Sequence, residues 1–99
     1  MKTGGATYIM SNKWKNVLYI GVTTDLIRRV SEHKSNTDRN SFTGKYSCNV
    51  LVYYENHPRI EDAIRREKQL KKWNREWKEN LINSCNPGWA DLYDSLFRK

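Results

Sequence analysis

Thr7-Tyr8-Ile9-Met10 and Val17-Leu18-Tyr19-Ile20-Gly21-Val22-Thr23 are two β-branched and aromatic runs, parted by the polar hexapeptide Ser11-Asn12-Lys13-Trp14-Lys15-Asn16. Side chains on a strand alternate between its faces, and turn-forming residues between two such runs read as a hairpin. In the second run Val17, Tyr19 and Gly21 share one face, and Leu18, Ile20 and Val22 share the other, which is the better candidate for the core. Thr24 or Asp25 then caps a helix running to about Lys34. A polar loop follows, and Val50-Leu51-Val52-Tyr53-Tyr54 marks a third strand over Cys48 to Glu55.

From Pro58 onward the apolar spacing changes to that of helices. Ile60, Ala63, Ile64 and Leu70 form one stripe, and Trp73, Trp77 and Leu81 a second. Trp89, Leu92, Tyr93, Leu96 and Phe97 form a third, after the break Asn86-Pro87-Gly88. The expected fold is α/β: a small three-stranded antiparallel sheet flanked by helices. A chain of 99 residues buries too little surface for two such units, so one domain over residues 1–99 is expected. Leu, Ile, Val and Phe number only 20, so the four Trp and six Tyr must supply much of the core.

Charge narrows the function. Lys and Arg outnumber Asp and Glu by 18 to 11, giving +7, which favours a polyanionic partner, nucleic acid before an anionic membrane surface. No apolar run is long enough for a membrane span or a signal peptide, which predicts a cytoplasmic protein. Cys48 and Cys85 are far apart and outside any C-x-x-C pair, so they read as thiols and small partly buried hydrophobes rather than zinc ligands. From Arg65 through Glu79 there are seven Lys and Arg against three Glu, a net +4. Within it Arg65, Lys68, Lys71, Lys72 and Arg75, together with Lys13 and Lys15 of the hairpin loop, are candidates for phosphate contacts, which position a duplex without reading its sequence. Trp14 in the same loop either packs on the hairpin or stacks on an unpaired base.

Three further features carry chemistry. Glu67 falls four residues after Ala63 and three before Leu70, so its carboxylate lies among apolar side chains. A carboxylate there requires a cation, either a structural Arg or a divalent metal. Arg29 and His33, spaced i, i+4, project from one edge of the first helix, where a guanidinium can hold a phosphate while an imidazole exchanges a proton. Tyr8 and Tyr19 come one from each strand of the hairpin, and a phenol near a cation can take a proton from water.

In this order and on these elements the residues resemble the GIY-YIG nuclease family, and within it small stand-alone bacterial proteins similar to the N-terminal domain of the excinuclease C subunit. The resemblance runs from Thr7 to about Leu92. Tyr19-Ile20-Gly21 stands for the second signature tripeptide, Arg29 follows its glycine by eight residues and His33 by twelve, and Ala63 to Lys71 is similar to the helix that presents the family's glutamate. The first tripeptide reads Ala6-Thr7-Tyr8, keeping its tyrosine. The resemblance implies a divalent-metal-dependent endonuclease acting on DNA, structure-selective or weakly sequence-specific, with a place in repair or recombination. It implies one Mg²⁺ or Mn²⁺ held by Glu67 and no organic cofactor. Arg29 would contact the scissile phosphate, and Tyr8, Tyr19 or His33 would receive the water's proton. The alternative is a nucleic-acid-binding module that keeps the fold without turnover.

Overall fold

The computed structural model describes residues 4–35 and 41–97. The two runs of the hairpin become β1 (Gly5–Ser11) and β2 (Leu18–Thr23), paired antiparallel with Ile9 opposite Ile20 and Tyr8 opposite Gly21. β3 (Val50–His57) pairs antiparallel with the other side of β1, giving the order β2-β1-β3. The third strand is thus shifted from the expected Cys48–Glu55, beginning and ending two residues later. Helices α1 (Leu26–Ser35), α2 (Phe42–Lys45), α3 (Ile60–Lys72) and α4 (Arg75–Cys85) complete the α/β arrangement, followed by a 3₁₀ turn at Asp94–Phe97.

The central strand is covered on both faces, because α3 and α4 lie on one side of the sheet and α1 and the C-terminal segment on the other. Ile9, Ile20, Val52 and Tyr53 pack with Leu70 of α3 and Ile82 of α4. Tyr8, Met10 and Leu51 pack on the opposite side with Val30 of α1 and Cys48. The face of β2 carrying Ile20 is therefore a core face, but it is one of two. At Gly5 a Cβ would come within 2.5 Å of Ile60 Cδ1, so the missing side chain lets the start of α3 settle against β1. Thr7 Oγ1 then donates to the Ala63 carbonyl at 2.7 Å.

β3 carries an extra residue. Ile9 faces Tyr53 while Met10 faces Leu51, leaving Val52 without a partner on β1. Such a bulge breaks the alternation of faces, and Val52 and Tyr53 both join the core under α3 and α4. The Asn86 amide donates to the Val52 carbonyl at 3.1 Å. The exposed side of β3 is also an edge that could pair with another chain, and the C-terminal segment covers it through Leu92 N–H to the Leu51 carbonyl, 2.8 Å.

Several expectations are corrected. The polar loop after α1 contains the short helix α2, whose first turn is closed by Ser41 Oγ accepting from Gly44 N–H. Ile64, placed on a buried stripe by its spacing, is exposed, because the buried face of α3 is narrow: Ala63 and Leu70 occupy it, and Ile64 lies about 100° round the helix from Ala63. Trp77 on α4, also placed on a buried stripe, is exposed too, its ring edge-on to Trp73 at 5.8 Å. The last apolar stripe is not an α-helix. Its backbone is diverted by Trp89, at φ 53°, and by the bond from Leu92 to β3, so only Asp94–Phe97 coils. Cys48 is buried, but Cys85 is exposed.

Candidate active site

The hairpin register sets the first two groups. Tyr8 and Tyr19 lie on the α1 side of the sheet, with ring centroids 6.3 Å apart. Gly21, directly across from Tyr8, makes this possible, since a Cβ there would lie 2.5 Å from Tyr8 Cζ and Oη. The glycine of the tripeptide thus clears the space that the phenol fills.

α1 delivers the next two. Asp25 opens it, its Oδ1 accepting from Arg28 N–H at 3.2 Å, and Arg29 and His33 follow one turn apart. His33 is buried, its ring edge-on to Tyr19 at 5.4 Å. Its Nε2 lies 2.9 Å from Tyr8 Oη and its Nδ1 lies 3.1 Å from Thr43 Oγ1 of α2.

The protonation states follow from burial and charge. Burial, reinforced by the neighbouring Tyr19 phenol, pushes Tyr8 up to about 12 against the opposing pull of Arg29, so Tyr8 keeps its proton and donates it to Nε2. His33 is held below the usual histidine range first by burial and then by the Arg29 charge, so it is neutral at pH 7. With Nε2 accepting, Nδ1 carries the ring hydrogen and donates to Thr43. Arg29 pairs with Glu32 at 3.1 Å, the largest cause of its raised pKa, and the Tyr8 and Tyr19 phenols add to the rise. One hydrogen-bonded chain therefore runs Tyr8, His33, Thr43.

A cleft of about 510 Å³ opens above this chain, lined by Tyr19, Arg29, Glu32, His33, Phe42 and Thr43 among others. Tyr8 is sealed beneath it at 1% exposure. Tyr19 reaches the cleft, and its hydroxyl makes no hydrogen bond to another described residue. Thr43, Glu32 and Phe42 line the cleft without having been singled out by the sequence. Glu32 was legible three residues from Arg29, whereas nothing in the sequence ties Thr43 to His33.

Glu67 does not line this cleft. It sits on α3, on the sheet's other side, with a side chain only 16% exposed and its Oε2 3.0 Å from Lys71 Nζ. Arg66 reaches Glu55 on β3 at 2.8 Å, so the flank of α3 about 100° onward, where Glu67 lies, is turned toward β2. β2, an edge strand, carries Tyr19 on the face of the sheet opposite α3. The cation beside Glu67 is thus the next-turn lysine, not an arginine. Among the described residues no three His, Cys, Asp or Glu side chains converge. A magnesium-type ion bound through one carboxylate, with water and phosphate oxygens filling its remaining positions, fits the single, largely desolvated Glu67.

The basic candidates divide by their partners. Arg75 donates to the Lys15 and Asn16 carbonyls at 2.6 and 3.1 Å and to Glu79 at 2.7 Å, so it fastens α4 to the hairpin loop, where Lys15 holds φ 61°. Arg65 pairs with Asp62 at 2.9 Å, and Lys71 with Glu67. Lys68 and Lys72 are exposed and have no ion pair among the described residues. Lys13 lies 4.8 Å over Trp14, which is 64% exposed.

Residues 4–80 match the GIY-YIG catalytic domain, and the chain belongs to that nuclease family, whose members generally use divalent metal ions. Its relatives include small stand-alone proteins. The chain is 30% identical to a UPF0213 protein of Desulfotalea psychrophila over 77% of this chain and 69% of that one. It is 33% identical to UPF0213 protein YhbQ of Escherichia coli over 82% and 79%. It is also similar to the solution NMR structure of a UPF0213 protein from Bacillus halodurans, at TM-score 0.55 and 25% identity over 97% of this chain and 98% of that one. No helix among the described residues is long and apolar enough to cross a membrane.

Proposed function

We propose that this chain, acting as one nuclease domain, is a divalent-metal-dependent endonuclease that hydrolyses DNA phosphodiester bonds, structure-selective or weakly sequence-specific, in repair or recombination. The observation that carries the reading is the Tyr8–His33–Thr43 chain beneath a cleft that Tyr19 and Arg29 line. Hydrolysis of a phosphodiester requires a positioned phosphate, a water that loses its proton, and charge to stabilise the oxygens and the leaving alkoxide.

Arg29 binds the phosphate. Its guanidinium is half-exposed, and Glu32 holds it at 3.1 Å, so little reorganisation accompanies binding. Tyr19 receives the water's proton, because it is the phenol that reaches the cleft and its hydroxyl is not already committed. Tyr8 and His33 are positioning residues: buried and hydrogen-bonded to each other, they fix α1, which carries Arg29, to β1 and through Thr43 to α2. Glu67 would hold the divalent ion, which when bound supplies positive charge at the phosphate oxygens and the leaving alkoxide. Lys68, Lys72 and Lys13 would meet flanking phosphates without reading bases.

The contrary reading, a non-catalytic binding module, draws on the pairing of Glu67 with Lys71 outside the cleft. Nicking of supercoiled plasmid separates the two. The nuclease reading expects open circles in Mg²⁺ or Mn²⁺, none in EDTA, and none with Arg29→Ala. Intact plasmid under every condition overturns it.

A further inference from the structure

Beside the cleft, α2 presents two rings to solvent. Phe42 is 46% exposed and Tyr46 40%, their centroids 4.8 Å apart. Phe42 also meets Tyr19 at 5.8 Å, so three aromatic rings run outward from the phenol that faces the phosphate. Single exposed apolar residues are ordinary, but a run of rings that begins in a candidate catalytic cleft is not explained that way. Cations accompany it: Lys45 Nζ lies 5.4 Å over the Tyr46 ring, and Arg29 lines the same cleft as Phe42.

The turn that carries the rings is anchored. Ser41 caps it, Thr43 is buried against His33, and Cys48 N–H returns to the Thr43 carbonyl at 2.9 Å. Phe42 and Tyr46 are four residues apart on it, so both rings point the same way. Rings presented side by side, next to a cation, match a nucleobase, which offers a flat π-face while its phosphate meets the charge. In a duplex both faces of a base are already stacked on neighbours, so only an unpaired base can occupy such a platform.

We infer that Phe42 and Tyr46 form a stacking platform for an unpaired DNA base flanking the phosphate held by Arg29, so that the substrate carries a single-stranded segment at the cut. The inference rests on the nuclease reading above, because it names the substrate class of that same cleft.

The test separates binding from turnover. Affinity is measured by fluorescence anisotropy in EDTA, where no metal-dependent cutting occurs, for a short labelled oligothymidine and for a blunt duplex of equal length. Wild type is expected to prefer the single strand. Phe42→Ala should weaken single-strand binding by about 5- to 150-fold, the worth of one base stacked on one ring, and leave duplex binding within about twofold. Tyr46→Ala should act in the same direction, and Phe42→Tyr, which keeps a π-face, should restore affinity. A 2-aminopurine base in the strand should be quenched by wild type and not by Phe42→Ala. The platform is refuted by equal wild-type affinity for both probes, by equal losses on both, or by an unchanged Phe42→Ala. A single-strand preference without metal-dependent cleavage of that strand in Mg²⁺ or Mn²⁺ counts against the nuclease reading alone, and such cleavage without the preference counts against the platform alone.

Discussion

Replacing Glu67 with Gln removes one negative charge at nearly constant volume, and the structure fixes what that costs. The partner, Lys71, has a side chain that is 55% exposed, so once unpaired its ammonium turns into water. What is lost is one i, i+4 helix pair, about 0.3–0.5 kcal/mol. For a domain of this size 1 kcal/mol shifts the melting temperature by about 4–8 °C, so in EDTA Glu67→Gln should melt about 1–4 °C below wild type. Had the partner been a buried arginine, stranding its charge would cost about 3–5 kcal/mol and lower the transition by more than about 10 °C. Catalysis should respond very differently. Loss of a metal's charge stabilisation, several kcal/mol, slows magnesium-dependent nicking by at least about a hundredfold. DNA affinity in EDTA should hold or rise, because a charge that repels phosphate has gone. Thermal melting beside a plasmid-nicking time course reads both quantities. A drop beyond about 10 °C with nicking preserved would refute the metal role and the pairing argument together.

Tyr8→Phe leaves the buried His33 Nε2 without its donor, which should cost about 1–3 kcal/mol in urea unfolding and slow nicking by loosening α1, which carries Arg29; unchanged stability would show that the 2.9 Å contact is not a working hydrogen bond. Stability should also depend on pH. Because the folded-state pKa of His33 lies below its ordinary value of 6.5, the unfolded chain binds more protons between the two; stability is complete above pH 6.5 and falls as pH drops through the folded value. Urea midpoints from pH 7 to pH 5 should decline, less steeply for His33→Gln, and a rise would contradict the assignment. On the alkaline side Tyr8, raised to about 12, should make stability fall as pH climbs from 10 toward 12. Arg75→Ala removes both bonds to the hairpin carbonyls, and the loop at Lys15 should be cut faster by trypsin; an unchanged cleavage rate would show that the clamp is dispensable.

The hairpin and the third strand were legible because β-branched alternation is local: each residue's face follows from its neighbour's. The bulge at Val52 was not, since Val50-Leu51-Val52-Tyr53-Tyr54 alternates no differently with or without a slipped partner, and only pairing with β1 reveals it. Arg29 and His33 were readable as neighbours from their spacing on one helix. That Tyr8 donates to His33 while Thr43 receives from it depends on three elements meeting across a sheet face, which no spacing encodes. α2 escaped notice because its four residues, Phe42-Thr43-Gly44-Lys45, include a glycine and are too few to show a period. For Glu67 the apolar surroundings were legible from Ala63 and Leu70, but the cation was not, because a lysine four residues on is ordinary in any helix and only its 3.0 Å approach makes it the partner.

The strand that bears Tyr8 is flanked on both edges and covered on both faces, so its amides can exchange with solvent only when the whole molecule opens. His33 and Thr43 reside on peripheral helices with far less holding them. The site is therefore assembled from parts that come loose at different free energies, its phenol in the last piece to yield and its imidazole in one of the first. Warming toward the transition would dissolve the Tyr8–His33 contact by local opening of α1 and α2 while the sheet stays closed, and function would fade at temperatures where circular dichroism of the strands still reports an intact protein.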